Sequence, residues 1–233
     1  MIIYTVDMLD KYIGQKIKDP YNRTVGTLAS IYSDVDGTVT AVEVLYGDTE
    51  FKTVDIGRLT IKNGELMLLP EWKYKAMKVI DKLERARRRA KALEDLYSKG
   101  EIPKHAYEEF KSKVAGALEK LKIEAREAKE LIKSRIRDLE DQVVQIEKAL
   151  TALKMSYIAG EISERGYKPA ADILRQSRDR NLEEKNEASK ILDTIQRLET
   201  ADLEISVIPE KQKGEPETQL FVEVLQEGTE AEA

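Results

Sequence analysis

The stretch "ELMLLPEWKYKAMKVIDKLERARRRA", residues 65–90, changes its period in the middle. Before Pro70 the apolar residues are those of a short strand. After it, Ala76, Val79, Leu83, Ala86 and Ala90 recur at steps of three and four, and Leu93 and Tyr97 continue the stripe. A step of three and four places side chains on one face of a helix, so Pro70 divides a β region from a helical one. Upstream, "QKIKDPYNRTVGTLASIY" reads as a strand, an Asp19-Pro20 turn and a second strand over about 25–32. Asp36-Gly37 turns into "TVTAVEVLY", Gly47-Asp48 into "TEFKTVDI", and Asn63-Gly64 joins "LTIK" to "ELMLL" as a two-residue hairpin. Five or six short strands in 70 residues predict a small barrel, because closure removes exposed edges.

Downstream, Gly100 is positioned to cap the first helix, and Pro103 suits the first turn of the next. The second helix is predicted to run to about Ile158. Its stripe comprises Val114, Leu118, Leu121, Ala125, Ala128, Ile132, Ile136, Leu139, Val143, Ile146, Leu150, Leu153 and Tyr157. A third helix is predicted over about 163–200, with an unusually polar middle, "RQSRDRNLEEKNEASK". "ALEDLYSKGEIPKHAY" (92–107) and "ALKMSYIAGEISERGY" (152–167) align without gaps, so the two corners are an internal repeat. Either its tyrosines brace a duplicated helical hairpin, or the corner is a recognition loop used twice; the first reading is simpler. The first and third helices are expected along opposite ends of the second.

The fold class is therefore multidomain α+β. A β-barrel over 1–70 precedes an antiparallel three-helix coiled-coil region over 71–200, with corners near 99–103 and 159–163. A flexible acidic tail over 201–233 carries one isolated strand, 219–226. In it "LEISVIP" (203–209) reads as a short β-like run. Charged residues make up 36% of the chain and aromatics 6%, which suits solvated helices that bury a stripe better than one large core. There is no Cys, which excludes disulfides and thiolate chemistry. The N-terminus lacks a basic start with an apolar core, and no apolar run approaches the roughly 20 residues of a membrane span, so a cytoplasmic protein is expected.

Catalysis is not expected, nor a cofactor or metal. The single His, His105, reads as a surface residue, and "SDVDGTVT" places Gly37 too early for a calcium loop, so it reads as a hairpin turn. Two other segments carry a chemistry. Across 73–91 nine cations face two acids, ending in Arg85, Arg87, Arg88, Arg89 and Lys91. Such a cluster either attracts phosphates, of nucleic acid or of a lipid surface, or is a solvated face paired with Glu of the neighbouring helix. Without interleaved aromatics, any DNA binding should be non-specific. In "ETQLFVEVLQEG" (217–228), Leu220, Val222 and Val224 share one face of a strand, and Phe221 and Leu225 the other. An isolated strand leaves its backbone groups without a ladder, so it suits addition to a partner's sheet edge. Pairing with "LEISVIP" or with the barrel edge is the alternative.

Residues 8–70 resemble a PRC-barrel, through "IGQKI" leading to a turn, then "VG", then the Asp-rich turn before "TVTAVEVLY". The succession of barrel, long coiled coil and tethered strand resembles the CdvA family of archaeal cell division, across essentially the whole chain. That resemblance implies a non-enzymatic scaffold at the mid-cell division site. It would assemble with copies of itself into filaments and associate with DNA. It would also recruit the ESCRT-III-like CdvB by adding Gln219–Gln226 as a strand to CdvB's winged-helix domain. Membrane contact is expected to be indirect, through a partner. Placing DNA on Arg85–Lys91 is a reading of charge, not of the family. The alternative is a nucleic-acid-associated PRC-barrel protein with a ribosome-maturation or nucleoid role. That class pairs the barrel with another globular domain rather than with a rod.

Overall fold

The computed structural model describes residues 3–47 and 49–206, with side chains to residue 200. A short helix α1 (Val6–Leu9) and a 3-10 turn (Asp10–Tyr12) precede six strands. These are β1 (Lys16–Lys18), β2 (Thr24–Ser33), β3 (Val39–Tyr46), β4 (Glu50–Asp55), β5 (Leu59–Lys62) and β6 (Glu65–Leu68). They form one sheet in the order β4-β3-β2-β1-β6-β5, antiparallel except for β1 with β6. Asn63 and Gly64 both have positive φ, at 52° and 77°, as the predicted two-residue hairpin requires.

The predicted barrel does not close. β4 and β5 are joined by a 3-10 turn over Ile56–Arg58 rather than by a hairpin, and they remain the two edges of the sheet. The curled sheet is instead plugged by the N-terminal segment. Leu9 and Tyr12 are buried in one cluster with Ile17, Leu28, Val42, Val54, Leu59 and Leu68, which reaches both edge strands. The Tyr4 hydroxyl donates to the Leu59 carbonyl at 3.3 Å, and the Val39 amide donates to the Tyr4 carbonyl. Sequence patterning missed α1, because one helical turn carries no period.

Three helices follow: α2 (Glu71–Ser98), α3 (Lys104–Ile158) and α4 (Glu164–Ser206). With 55 residues, α3 is about 80 Å long. Both corners are built alike. Gly100 and Gly160 have φ of 72° and 76°, the left-handed conformation that ends a helix most easily without a Cβ. Tyr97 stacks on Tyr107 with ring centres 4.1 Å apart, and Tyr157 on Tyr167 at 4.5 Å. The repeat is thus a braced hairpin used twice.

Two expectations need correction. α4 continues to Ser206, so Leu203–Ser206 is helical rather than β-like. Extending an existing helix adds one backbone hydrogen bond for each residue fixed, and this propagation overrides the local β propensity of the run. Nor do α2 and α4 merely occupy opposite ends of α3. They overlap along its middle, where Val79, Leu83, Leu121, Ala125, Ala128, Ile132, Ala188 and Ile195 form one buried cluster.

The sheet is fastened to this overlap through a carboxylate. Glu184 of α4 is 0% exposed. Its Oε1 accepts from the Trp72 indole at 2.9 Å and from Arg135 Nε at 2.8 Å. Its Oε2 accepts from Arg135 Nη2 at 2.8 Å and from Arg23 Nη2, on the β1–β2 turn. Asp19 holds that turn by accepting from the Tyr21 and Arg23 amides and from Arg23 Nε. Beside it, the Tyr21 hydroxyl donates to Glu187, which also pairs with Lys73 at 2.6 Å. The polar middle of α4 is therefore the face that meets the sheet.

Burial alone would push the Glu184 carboxyl up, but the donors from Arg135, Trp72 and Arg23 outweigh it and hold it below the usual carboxylate range. Losing one partner of such a buried set costs far more than losing a surface pair. Glu184→Ala should lower unfolding stability by about 3–5 kcal/mol in urea denaturation, because Arg135 and the Trp72 indole lose their acceptor and Arg23 keeps only Asp19 and Asn181. Lys185→Ala, which removes a partly exposed pair with Glu140, should cost under about 1 kcal/mol. Because the folded carboxyl is depressed, its stabilisation is fully present above about pH 4.3 and is lost as pH falls through the folded value. The difference in stability between wild type and Glu184→Gln should shrink over that window; a constant difference would contradict the joint.

Candidate functional site

Among the predicted site residues, the basic cluster lies on described structure and the strand residues Leu220, Phe221, Val222, Val224 and Leu225 lie outside it. At 100° per residue, Lys78, Lys82, Arg85 and Arg89 fall within about 60° of one another on α2. Arg85, Arg87, Arg88, Arg89 and Lys91 are all exposed, but Arg87 and Lys91 project from other sides of the helix. The structure thus divides the predicted cluster. Arg85 and Arg89 join Lys78 and Lys82, which lie outside the predicted set of five, while Arg87, Arg88 and Lys91 point elsewhere.

This row faces α3 across an open groove of about 930 Å³ between the two helices. From α3 come Phe110, Lys113, Val114, Ala117, Lys120, Leu121 and Glu124, so the floor is apolar and the rims carry six cations. Two acids, Asp81 and Glu124, are also at the rim. Lys82 pairs with Glu124 at 2.6 Å, Arg85 with Asp81 at 3.0 Å, and Lys113 with Glu109 at 2.6 Å. No ion pair with a described residue engages Arg87, Arg88, Arg89 or Lys91, so interhelical pairing accounts for only part of the cluster. Phe110 is 52% exposed at one end of the groove. Exposed pairs contribute little and exchange readily with other ligands, so the paired cations remain available to a polyanion. Sequence reasoning missed Lys113 and Lys120 because their proximity to α2 appears only once the hairpin forms.

A second exposed surface lies at the other end of α3. Among the described residues, only α3 and α4 run side by side beyond residue 140, and a two-helix hairpin cannot cover all its apolar residues. Met155, Ile158 and Ile173 are 66%, 73% and 68% exposed, and Val144 is also exposed. Val144, Thr151, Met155 and Ile158 are spaced by seven, four and three, a second seam beside the one that packs on α4.

Asp36 accepts from the Thr38 amide at 2.9 Å in the turn after β2, as a hairpin turn needs. His105 is exposed in the first turn of α3. No helix among the described residues is long and apolar enough to cross a membrane.

Residues 71–218 match the family model described as a CdvA-like coiled-coil domain. Over 200 residues the chain is 40% identical to "Cell division protein A" of Sulfolobus acidocaldarius, covering 86% of this chain and 84% of that one. No solved structure is similar. The matched region takes in all three long helices, both Tyr-braced corners and the buried Glu184. The chain belongs to the CdvA-like coiled-coil family.

Proposed function

We propose that this protein is a non-enzymatic scaffold of archaeal cell division, acting at the mid-cell site. It assembles with copies of itself into filaments, associates with DNA without sequence preference, and recruits an ESCRT-III-like CdvB partner through its tail. Membrane contact runs through that partner. The main support is the seam on the α3–α4 hairpin, which is exposed among the described residues. Exposed Val144, Met155, Ile158 and Ile173 are costly in water unless another molecule covers them, and the spacing of Val144, Thr151, Met155 and Ile158, with Glu147 and Lys148 between them, fits a helix of a second copy. The relative named "Cell division protein A" supports the cellular role. The six cations of the α2–α3 groove support a phosphate contact, and the alternating apolar residues of 219–226 support strand addition to a partner sheet.

Each part has its own test. Ile158→Asp with Ile173→Asp should abolish assemblies seen by electron microscopy and sedimentation while leaving the urea midpoint unchanged; persistent filaments would contradict the seam. Deleting 217–228, or Val222→Asp, should remove capture of a CdvB winged-helix domain in a pull-down while filaments still form. Affinity for a short duplex should fall with salt at a log–log slope of about −4.5 if five phosphates are contacted. Arg85→Glu with Arg89→Glu should flatten that slope, and an unchanged slope would remove the groove from the phosphate contact.

A further inference from the structure

The groove between α2 and α3 has a feature that a phosphate backbone does not use. Between its cationic rims runs an apolar floor of Ala86, Val114, Ala117 and Leu121, closed at one end by exposed Phe110. A floor and rims of this kind suit an extended peptide that is both acidic and apolar. The chain carries such a peptide. Residues 207–233 contain seven Glu against two Lys, and 219–226 alternates Leu220, Val222 and Val224 with Phe221, Glu223 and Leu225.

The geometry also brings it close. Lys129 of α3 pairs with Glu199 of α4, and the helices are antiparallel, so Ser206 lies level with about Lys122. That is the Leu121–Glu124 end of the groove. The groove spans Phe110 to Glu124 along α3, about 21 Å, and an eight-residue strand covers about 26 Å. The groove opens on the side of α2 away from Lys73, which pairs with Glu187 of α4. The tail must therefore pass round the hairpin, and residues 207–218 can bridge up to about 40 Å when extended.

We propose that Gln219–Gln226 of the chain's own tail lies in the α2–α3 groove and excludes phosphate polyanions from it. Within the proposed function, on whose phosphate reading this exclusion rests, the consequence is a coupling. A partner that takes the tail as a strand uncovers the groove, so recruitment and polyanion binding favour each other. A tethered segment acts at an effective concentration on the order of millimolar, so even a weak intrachain contact outcompetes dilute ligands.

Docking can be read without nucleic acid, which separates its failure from failure of the phosphate reading. The chain has no Cys, so a spin label at Ser112→Cys, exposed on α3 beside the groove but not lining it, is unique in the full-length protein. Nitrogen-15 spectra should show the amides of about 217–228 broadened at least twofold by this label. The broadening should vanish with Arg85→Glu plus Arg89→Glu, and with Phe221→Ser plus Val224→Ser, which leaves the tail's charge unchanged. Inorganic polyphosphate should displace the tail and sharpen the same signals. Unbroadened tail amides, or broadening that survives both pairs of substitutions, would overturn the proposal. So would equal broadening when the label and the isotope sit on different chains, since that assigns the groove to a second copy's tail.

Discussion

The arrangement depends on one buried carboxylate. Glu184 is out of water, so it is tolerable only with its charge matched and its lone pairs filled. Arg135 fills two positions from α3, Trp72 one from α2, and Arg23 one from the sheet. Four segments of the chain therefore meet at one side chain, and none of them can shift without exposing or orphaning a charge. An apolar contact would slide at small cost; this one fixes both register and orientation. Asp19 and Glu187 extend the restraint by holding Arg23 and Tyr21, so the β1–β2 turn enters the joint already ordered.

That joint lies near the middle of α3, which leaves its two ends to be different things. Towards the α2–α3 corner the hairpin carries cations over an apolar floor. Towards the α3–α4 corner it carries exposed Val144, Met155, Ile158 and Ile173. Both corners are turned by the same device, a left-handed glycine and a pair of stacked tyrosines, so the difference between the ends lies in the helix faces rather than the turns. A rod with a charged arm, an apolar arm and a sheet held between them suits a scaffold, because each surface can be occupied without crowding the others.

Much of this is legible from local signals. Pro70, Asn63-Gly64, Gly100 and Gly160 each act through backbone sterics within a few residues, and the step of three and four along α3 locates its buried face. What local signals cannot reach is pairing across the chain. The partners of Glu184 lie 49, 112 and 161 residues away, so its charge reads as one more solvated carboxylate in a polar stretch. One signal was present. Asn181 and Glu184 occupy the inward steps that continue backward from Ile195, Ile191 and Ala188, and polar residues at inward positions call for buried partners. Closure of the sheet fails as an expectation for a related reason. Strand number and turn spacing do not say whether the first and last edges meet, and here the N-terminal segment covers the gap instead.

The most direct measurement is of residual dipolar couplings from backbone amides in the sheet and in the three helices of the full-length protein. If the carboxylate at the joint holds them as one body, a single alignment tensor fits both sets in the native chain, and two tensors of different magnitude are needed once Glu184 is replaced by Gln. Two independent tensors in the native chain would contradict the account, because the sheet would then be tethered to the rod rather than fixed to it.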